Sequence, residues 1–152
     1  MRFLQLMTAG ICFIFLSLFY TLLKPTEVSR SSNLTLIAHR GASLEAPENT
    51  IPAFKRAIEM GADYIECDIQ LTSDGIPIVF HDDTVFRTSN LKRHIPISAL
   101  TLEEVRSLDA GSWLSDKFIG TKIPTLEELL SLDRKGTGLM LELKNMNSRN
   151  KE

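Results

Sequence analysis

The stretch that most limits how this chain can fold runs from Tyr64 to Asp82, YIECDIQLTSDGIPIVFHD. Its first part alternates strictly. Ile65, Cys67, Ile69 and Leu71 take one face, and Glu66, Asp68, Gln70 and Thr72 take the other. A period of two is the mark of a β-strand with two chemically different sides. Asp74-Gly75 then signals a tight hairpin, and Ile76 to Phe80 reads as the return strand. A two-residue loop sets Ser73 opposite Ile76, and therefore Asp68 opposite His81 and Glu66 opposite Asp83. One local turn would thus gather carboxylates and an imidazole on a single face. A one-residue bulge would break that register. The apolar face of the strand must pack against helices, so the acidic face looks into the mouth of the sheet. Two carboxylates that close repel unless one is protonated or a cation bridges them. The plainer alternative is a solvated polar face ending in a histidine bonded to an acid.

The flanking sequence supplies the rest of an α/β pattern. Leu34 to Ala38 is a short apolar run feeding His39-Arg40-Gly41, a buried strand entering a loop. Asn49 or Thr50 caps a helix with Pro52 in its first turn and Gly61 beyond its end. Phe54, Ala57 and Ile58 share one face of it. Thr101-x-x-Glu104 and Thr125-x-x-Glu128 are capping boxes, each opening a short helix. Leu139 to Lys144 is another buried strand, with Glu142 and Lys144 on one side. Strands alternating with helices predict a parallel sheet. His94 reads as a surface-loop histidine, and Cys67 and Trp113 as packing residues. Taken alone, Glu142 with Lys144 reads more readily as a solvated ion pair, and His39 more readily as a structural histidine.

The N-terminus is different in kind. Phe3 to Leu23 is 21 residues without a charge. As a helix it would be about 31 Å long, enough to cross a bilayer. It ends in Leu-Leu-Lys-Pro without a small-x-small cleavage site, so an uncleaved membrane anchor competes with a secretory signal. Either would place the folded domain outside the cytoplasm or on a single-pass anchor. Residues 1–23 are therefore expected as anchor or signal, 24–33 as a polar linker, and 34–152 as the domain. The formal net charge of -2 carries no basic stripe and excludes an electrostatic nucleic-acid binder. Two cysteines, one of them in the apolar run, leave the fold without a disulfide framework.

Three carboxylates, Glu66, Asp68 and Glu142, with no cysteine–histidine cluster favour a hard divalent cation, Mg²⁺ or Ca²⁺, over zinc. A cation, an arginine and two histidines make a set suited to phosphoryl chemistry. One histidine can take a proton while the other gives one to a leaving alcohol. Arg40 offers a guanidinium matched to phosphate, and Gly41 leaves room for close approach.

These residues resemble the glycerophosphodiester phosphodiesterase family. The matching pieces are His39-Arg40-Gly41, Glu48-Asn49-Thr50, Gly61-Ala62-Asp63, Glu66-x-Asp68, Asp74-Gly75 and His81-Asp82. Leu108-Asp109-Ala110-Gly111, Ile123 to Glu128 and Glu142-x-Lys144 follow in the same order. The resemblance implies a TIM (β/α)8 barrel that hydrolyses glycerophosphodiesters to glycerol 3-phosphate and an alcohol. It implies Glu66, Asp68 and Glu142 as metal ligands, His39 and His81 as the acid–base pair, and Arg40 and Lys144 as phosphate contacts. Site residues at the C-terminal ends of strands agree with the barrel rule.

Length departs from that pattern. A TIM barrel takes about 250 residues, and from Leu34 onward there are 119. The expectation is therefore the N-terminal part of a barrel, with three parallel strands and a hairpin return strand. Such a piece could be a truncated, catalytically inactive membrane-tethered remnant that binds metal or a phosphorylated headgroup. It could pair with a second chain that completes the barrel, or fold alone into something smaller.

Overall fold

The computed structural model of this protein describes residues 34–144. The expected anchor or signal over 3–23, the linker over 24–33 and the polar tail beyond Lys144 lie outside the described residues. Among the described residues no helix is long and apolar enough to cross a membrane.

The described residues from Thr35 onward belong to one compact unit. In chain order they form β1 (Ile37–His39), α1 (Ile51–Glu59), β2 (Tyr64–Leu71), β3 (Pro77–Val79), α2 (Leu102–Ser107), α3 (Leu126–Leu130) and β4 (Gly138–Leu143). Short 3-10 turns at Ile97–Ala99 and Asp116–Phe118 flank α2. The anticipated elements are present with trimmed ends, β1 starting at Ile37 rather than at Leu34, which is 75% exposed. The two strands expected to be buried are not: β1 is exposed at Ile37 and His39, and β4 from Met140 to Leu143.

The sheet is organised around β2. β1 and β4 both pair with it in parallel, and β3 pairs antiparallel. Ile69 is partnered by Val79 of β3 and by Leu143 of β4. β3 and β4 therefore lie on opposite edges of β2, and β1 shares β3's edge further toward the strand's start. β1, β2 and β4 run side by side in the order of successive barrel strands, with α1 and α3 as the helices between them. Together with the hairpin strand they make a four-stranded sheet.

The hairpin register corrects the expectation. Gln70 pairs with Ile78 and Leu71 with Pro77. Thr72 and Ile76 close the loop through Thr72 N–H to Ile76 O, so the loop holds three residues. Gly75, at φ +82°, is the third. Three-residue loops of this kind end in a left-handed residue, which glycine adopts without a Cβ penalty. Asp74 braces the turn by accepting from Thr72 Oγ1 and from the Leu102 amide at the start of α2. The consequence is a shift of one residue. Asp68 faces Phe80, whose amide donates to the Asp68 carbonyl, rather than His81, and Glu66 is not opposite Asp83.

Two apolar cores flank the hairpin. The first packs Phe54 and Ala57 of α1, Leu129 of α3 and Val79 against Ile65, Cys67 and Ile69 of β2. The second gathers Ile78, Phe80, Val85, Ile97, Val105, Leu108, Ala110 and Ile123. α1 amphipathicity explains its placement: Ala53, Phe54 and Ala57 are buried and Ile58 packs against the same core. Burying Phe54 contributes roughly 1.5–3 kcal/mol. Thr50 occupies its N-cap, with proline in the first turn. Both capping boxes form as expected, Thr101 with Glu104 and Thr125 with Glu128. Cys67 is fully buried, and burial above all, with Glu66 and Asp68 adding negative charge, pushes its thiol up to about 12. His94 is exposed and stacks on Phe86 at 4.3 Å. Trp113 donates its indole N–H to the Ala110 carbonyl.

Candidate active site

Polar side chains from the C-terminal ends of β1 and β4 converge with those from the middle of β2. Parallel register explains why. Asp68 of β2 and Glu142 of β4 are direct partners, and Glu66 is the partner of His39. Ligand oxygens of Glu66, Asp68 and Glu142 all lie within 4.8 Å of one another. Asp68 is 1% exposed, while Glu142 stands open to solvent.

Asp68 is the centre of the group. Its Oδ2 accepts from Asn49 Nδ2 at 2.8 Å and lies 3.5 Å from Arg40 Nε. Its Oδ1 lies 3.1 Å from Lys144 Nζ, which also contacts Glu142 Oε1 at 2.7 Å. Burial would raise the Asp68 carboxyl. Hydrogen bonds from Asn49 and Lys144, with the charges of His81 and Lys144, outweigh it and hold the group below its ordinary range. Lys144 is raised, first by its bond to Glu142. Its ammonium thus supplies positive charge between two carboxylates.

The loop after β1 delivers the next residues. Arg40 sits at φ +58° and Gly41 at +81°. A Cβ at Gly41 would fall 2.8 Å from the Ala53 carbonyl carbon in the first turn of α1, so only glycine permits this approach. The turn aims the Arg40 amide at Glu66 Oε2, 2.9 Å away. The Arg40 guanidinium donates to Glu48 Oε1 at 2.8 Å. His39 presents Nε2 3.9 Å from Glu66 Oε2, with its side chain 69% exposed. Asn49, expected as a possible helix cap, is at φ +56° and turns its amide inward to Asp68 instead.

His81 arrives by a route the alternation did not foresee. Phe80 holds the position opposite Asp68, and the chain leaves the strand immediately after it. Gln70, buried on the acidic face of β2, donates Nε2 to the carbonyls of Phe80, His81 and Asp82 at 2.9, 3.0 and 3.0 Å. That clamp bends the strand end. His81 is half-buried, and its Nδ1 lies 2.8 Å from Asp82 Oδ1. Hydrogen bonds from Arg87, then from His81, hold Asp82 at about 2.

Every residue singled out in the sequence is therefore found at this site: His39, Arg40, Glu66, Asp68, His81, Glu142 and Lys144. Glu48, Gln70, Asp82 and Arg87 join them without having been assigned a role. The donor set suits a hard divalent cation. It offers three carboxylates, one of them the buried Asp68, whose Oδ1 faces the Lys144 ammonium at 3.1 Å. A second acidic group, Glu48, His81 and Asp82, is bound up with the Arg87 guanidinium.

Residues 39–152 match the model of the glycerophosphoryl diester phosphodiesterase family. The glycerophosphodiester phosphodiesterase of Caldanaerobacter subterraneus subsp. tengcongensis is 55% identical over 97 residues, covering 64% of this chain and 39% of that protein. YhdW of Bacillus subtilis is 53% identical over 109 residues, covering 72% of this chain and 44% of that protein. A phosphodiesterase of Oleispira antarctica, solved in complex with the product sn-glycerol-3-phosphate, superposes with a TM-score of 0.68 at 42% identity. It covers 73% of this chain and 44% of that one. The chain thus spans less than half the length of the relatives it matches.

Proposed function

The chain belongs to the glycerophosphoryl diester phosphodiesterase family, and from this premise we propose that its site serves hydrolysis of glycerophosphodiesters to glycerol 3-phosphate and an alcohol. The observation that carries the reading is the convergence of Glu66 and Asp68, from the middle of β2, with Arg40, Glu142 and Lys144 from the C-terminal ends of its parallel neighbours β1 and β4. Glu66, Asp68 and Glu142 would hold one Mg²⁺ or Ca²⁺. That ion, when bound, would neutralise phosphate oxygens and stabilise transition-state charge.

The remaining roles belong to the protein's own groups. Arg40 and Lys144 provide cationic donors for the non-bridging phosphate oxygens. Both are held by Asp68, so the carboxylate sets their separation as well as its own place in the ligand set. His39 and His81 form the acid–base pair. One takes the proton of the nucleophile, and the other protonates the departing alcohol oxygen as its bond to phosphorus breaks. His39 stands exposed beside Glu66, and His81 is set by Asp82.

The test is product release from a glycerophosphodiester by the full chain, with Mg²⁺, with Ca²⁺ and with chelator. Glu66→Gln is assayed alongside. Metal-dependent release of glycerol phosphate that the variant lacks is the expected result. Undiminished hydrolysis by the variant would remove the carboxylate assignment. Thermal unfolding with and without the ion gives a second readout: saturation at about 100-fold over Kd adds about 2.7 kcal/mol, and Asp68→Asn abolishes it.

A further inference from the structure

Arg87 lies outside the strand ends, on the loop after β3, yet it touches both halves of the site. Its Nε and Nη2 donate to Asp82 Oδ2 and Oδ1 at 2.7 and 2.8 Å. Its Nη1 and Nη2 donate to Glu48 Oε2 and Oε1, both at 2.7 Å. Four of the five guanidinium N–H groups are therefore committed to two carboxylates, each gripped by both oxygens. Each carboxylate in turn holds a site residue. Asp82 Oδ1 meets His81 Nδ1, and Glu48 Oε1 accepts from Arg40 Nη1.

We propose that Arg87 is a positioning residue, a single guanidinium that fixes the Asp82 orienting His81 to the Glu48 orienting Arg40. The inference rests on the reading of His81 and Arg40 as reaction machinery. An ionised Asp82 only accepts, so His81 Nδ1 carries the proton of that bond and Nε2 is left as the nitrogen that exchanges protons. The low value of Asp82, at about 2, keeps the carboxylate ionised. Burial would raise Glu48, but hydrogen bonds from Arg87 and Arg40 hold it down.

The base under Arg87 is firm. Val85, Thr88 and Ser89 on either side are buried, Ser89 Oγ donates to the Val85 carbonyl, and the Val85 amide donates to Ile95 O. The segment packed on the second core thus reaches the site through Arg87 as well as through Phe80 and His81. A lysine cannot substitute, because one ammonium lacks the planar fork that grips two carboxylates at once. Losing the guanidinium leaves Asp82 and Glu48 as neighbouring like charges, and leaves the carboxylate that holds His81 Nδ1 without its own anchor.

The test uses the full chain labelled with ¹⁵N-histidine, with Arg87→Ala and Arg87→Met, the second keeping the aliphatic stem should the first fail to fold. In the parent the His81 signals should report a single tautomer protonated at Nδ1. Either variant should show a tautomer mixture. kcat should fall about 10- to 100-fold with a smaller change in KM. Added guanidinium should restore both in the alanine variant, which a purely structural loss would not allow. An unchanged His81 tautomer in a folded variant overturns the proposal, as does an unchanged kcat. If the parent hydrolyses no glycerophosphodiester, the functional reading fails on its own, and the tautomer readout still decides whether Arg87 positions His81.

Discussion

Replacing Gln70 by methionine tests how the strand end is bent toward the site. The side chains are similar in volume, so packing changes little. What disappears is one amide bonded to three carbonyls, those of Phe80, His81 and Asp82. An NH2 group has two protons, so the native clamp amounts to two full bonds shared among three acceptors. The Phe80 bond is buried, and an orphaned buried acceptor costs about 1–3 kcal/mol. The His81 and Asp82 bonds are partly open, so water can replace them at about 0.5–1 kcal/mol each. Burying a thioether in place of an amide returns up to about 1 kcal/mol. The expected net loss is about 1–5 kcal/mol, read as the shift in urea midpoint at constant slope. Activity should fall further than stability predicts, because His81 loses its backbone anchor. A loss below about 0.5 kcal/mol with unaltered kcat would mean that the turn holds itself and Gln70 merely fills space.

Two further outcomes concern ionisation. Asp82 is held at about 2, mainly by Arg87, whereas an unfolded aspartate titrates near about 3.9. A depressed folded value means stability that is full above about pH 4 and lost as pH falls toward 2. Arg87 is 44% exposed, so screening limits the contribution to about 1 kcal/mol. Urea unfolding at pH 6, 4 and 3 should show this slope in the parent and a flatter one in Asp82→Asn; parallel slopes would contradict it. Cys67, pushed up to about 12, stays a neutral thiol at physiological pH. In a Cys12→Ser background it should react with a thiol reagent only at the rate of unfolding, and rapid labelling of the native protein would show that the β2 face is open.

Local chemistry announced much of this fold. Alternation located β2, the Thr-x-x-Glu pairs located α2 and α3, and the two acidic positions two residues apart located the centre of the site. The hairpin register escaped because Asp-Gly marks a turn without fixing its length. Gly75 takes the left-handed position of a three-residue loop as readily as it takes a place in a two-residue one. Asn49 escaped because a residue before a helix has two uses, and its local one, capping, is the commoner. Arg87 and Glu48 stand 39 positions apart, and no periodicity links them. Their meeting depends on how the second core folds back toward the β1 loop. Alternation puts Gln70 on the acidic face, but its partners depend on the hairpin register, which the length of the turn sets.

The alternation of β3 also bears on how the domain assembles. Val79 points into one core, while Ile78 and, one residue past the strand's end, Phe80 point into the other. Neither core can be completed until that strand is in place, and a slip of one residue would send each side chain to the wrong partner. The strand therefore works as a checkpoint in folding: correct docking of three side chains commits both layers together, and the same event delivers His81 to the carboxylates.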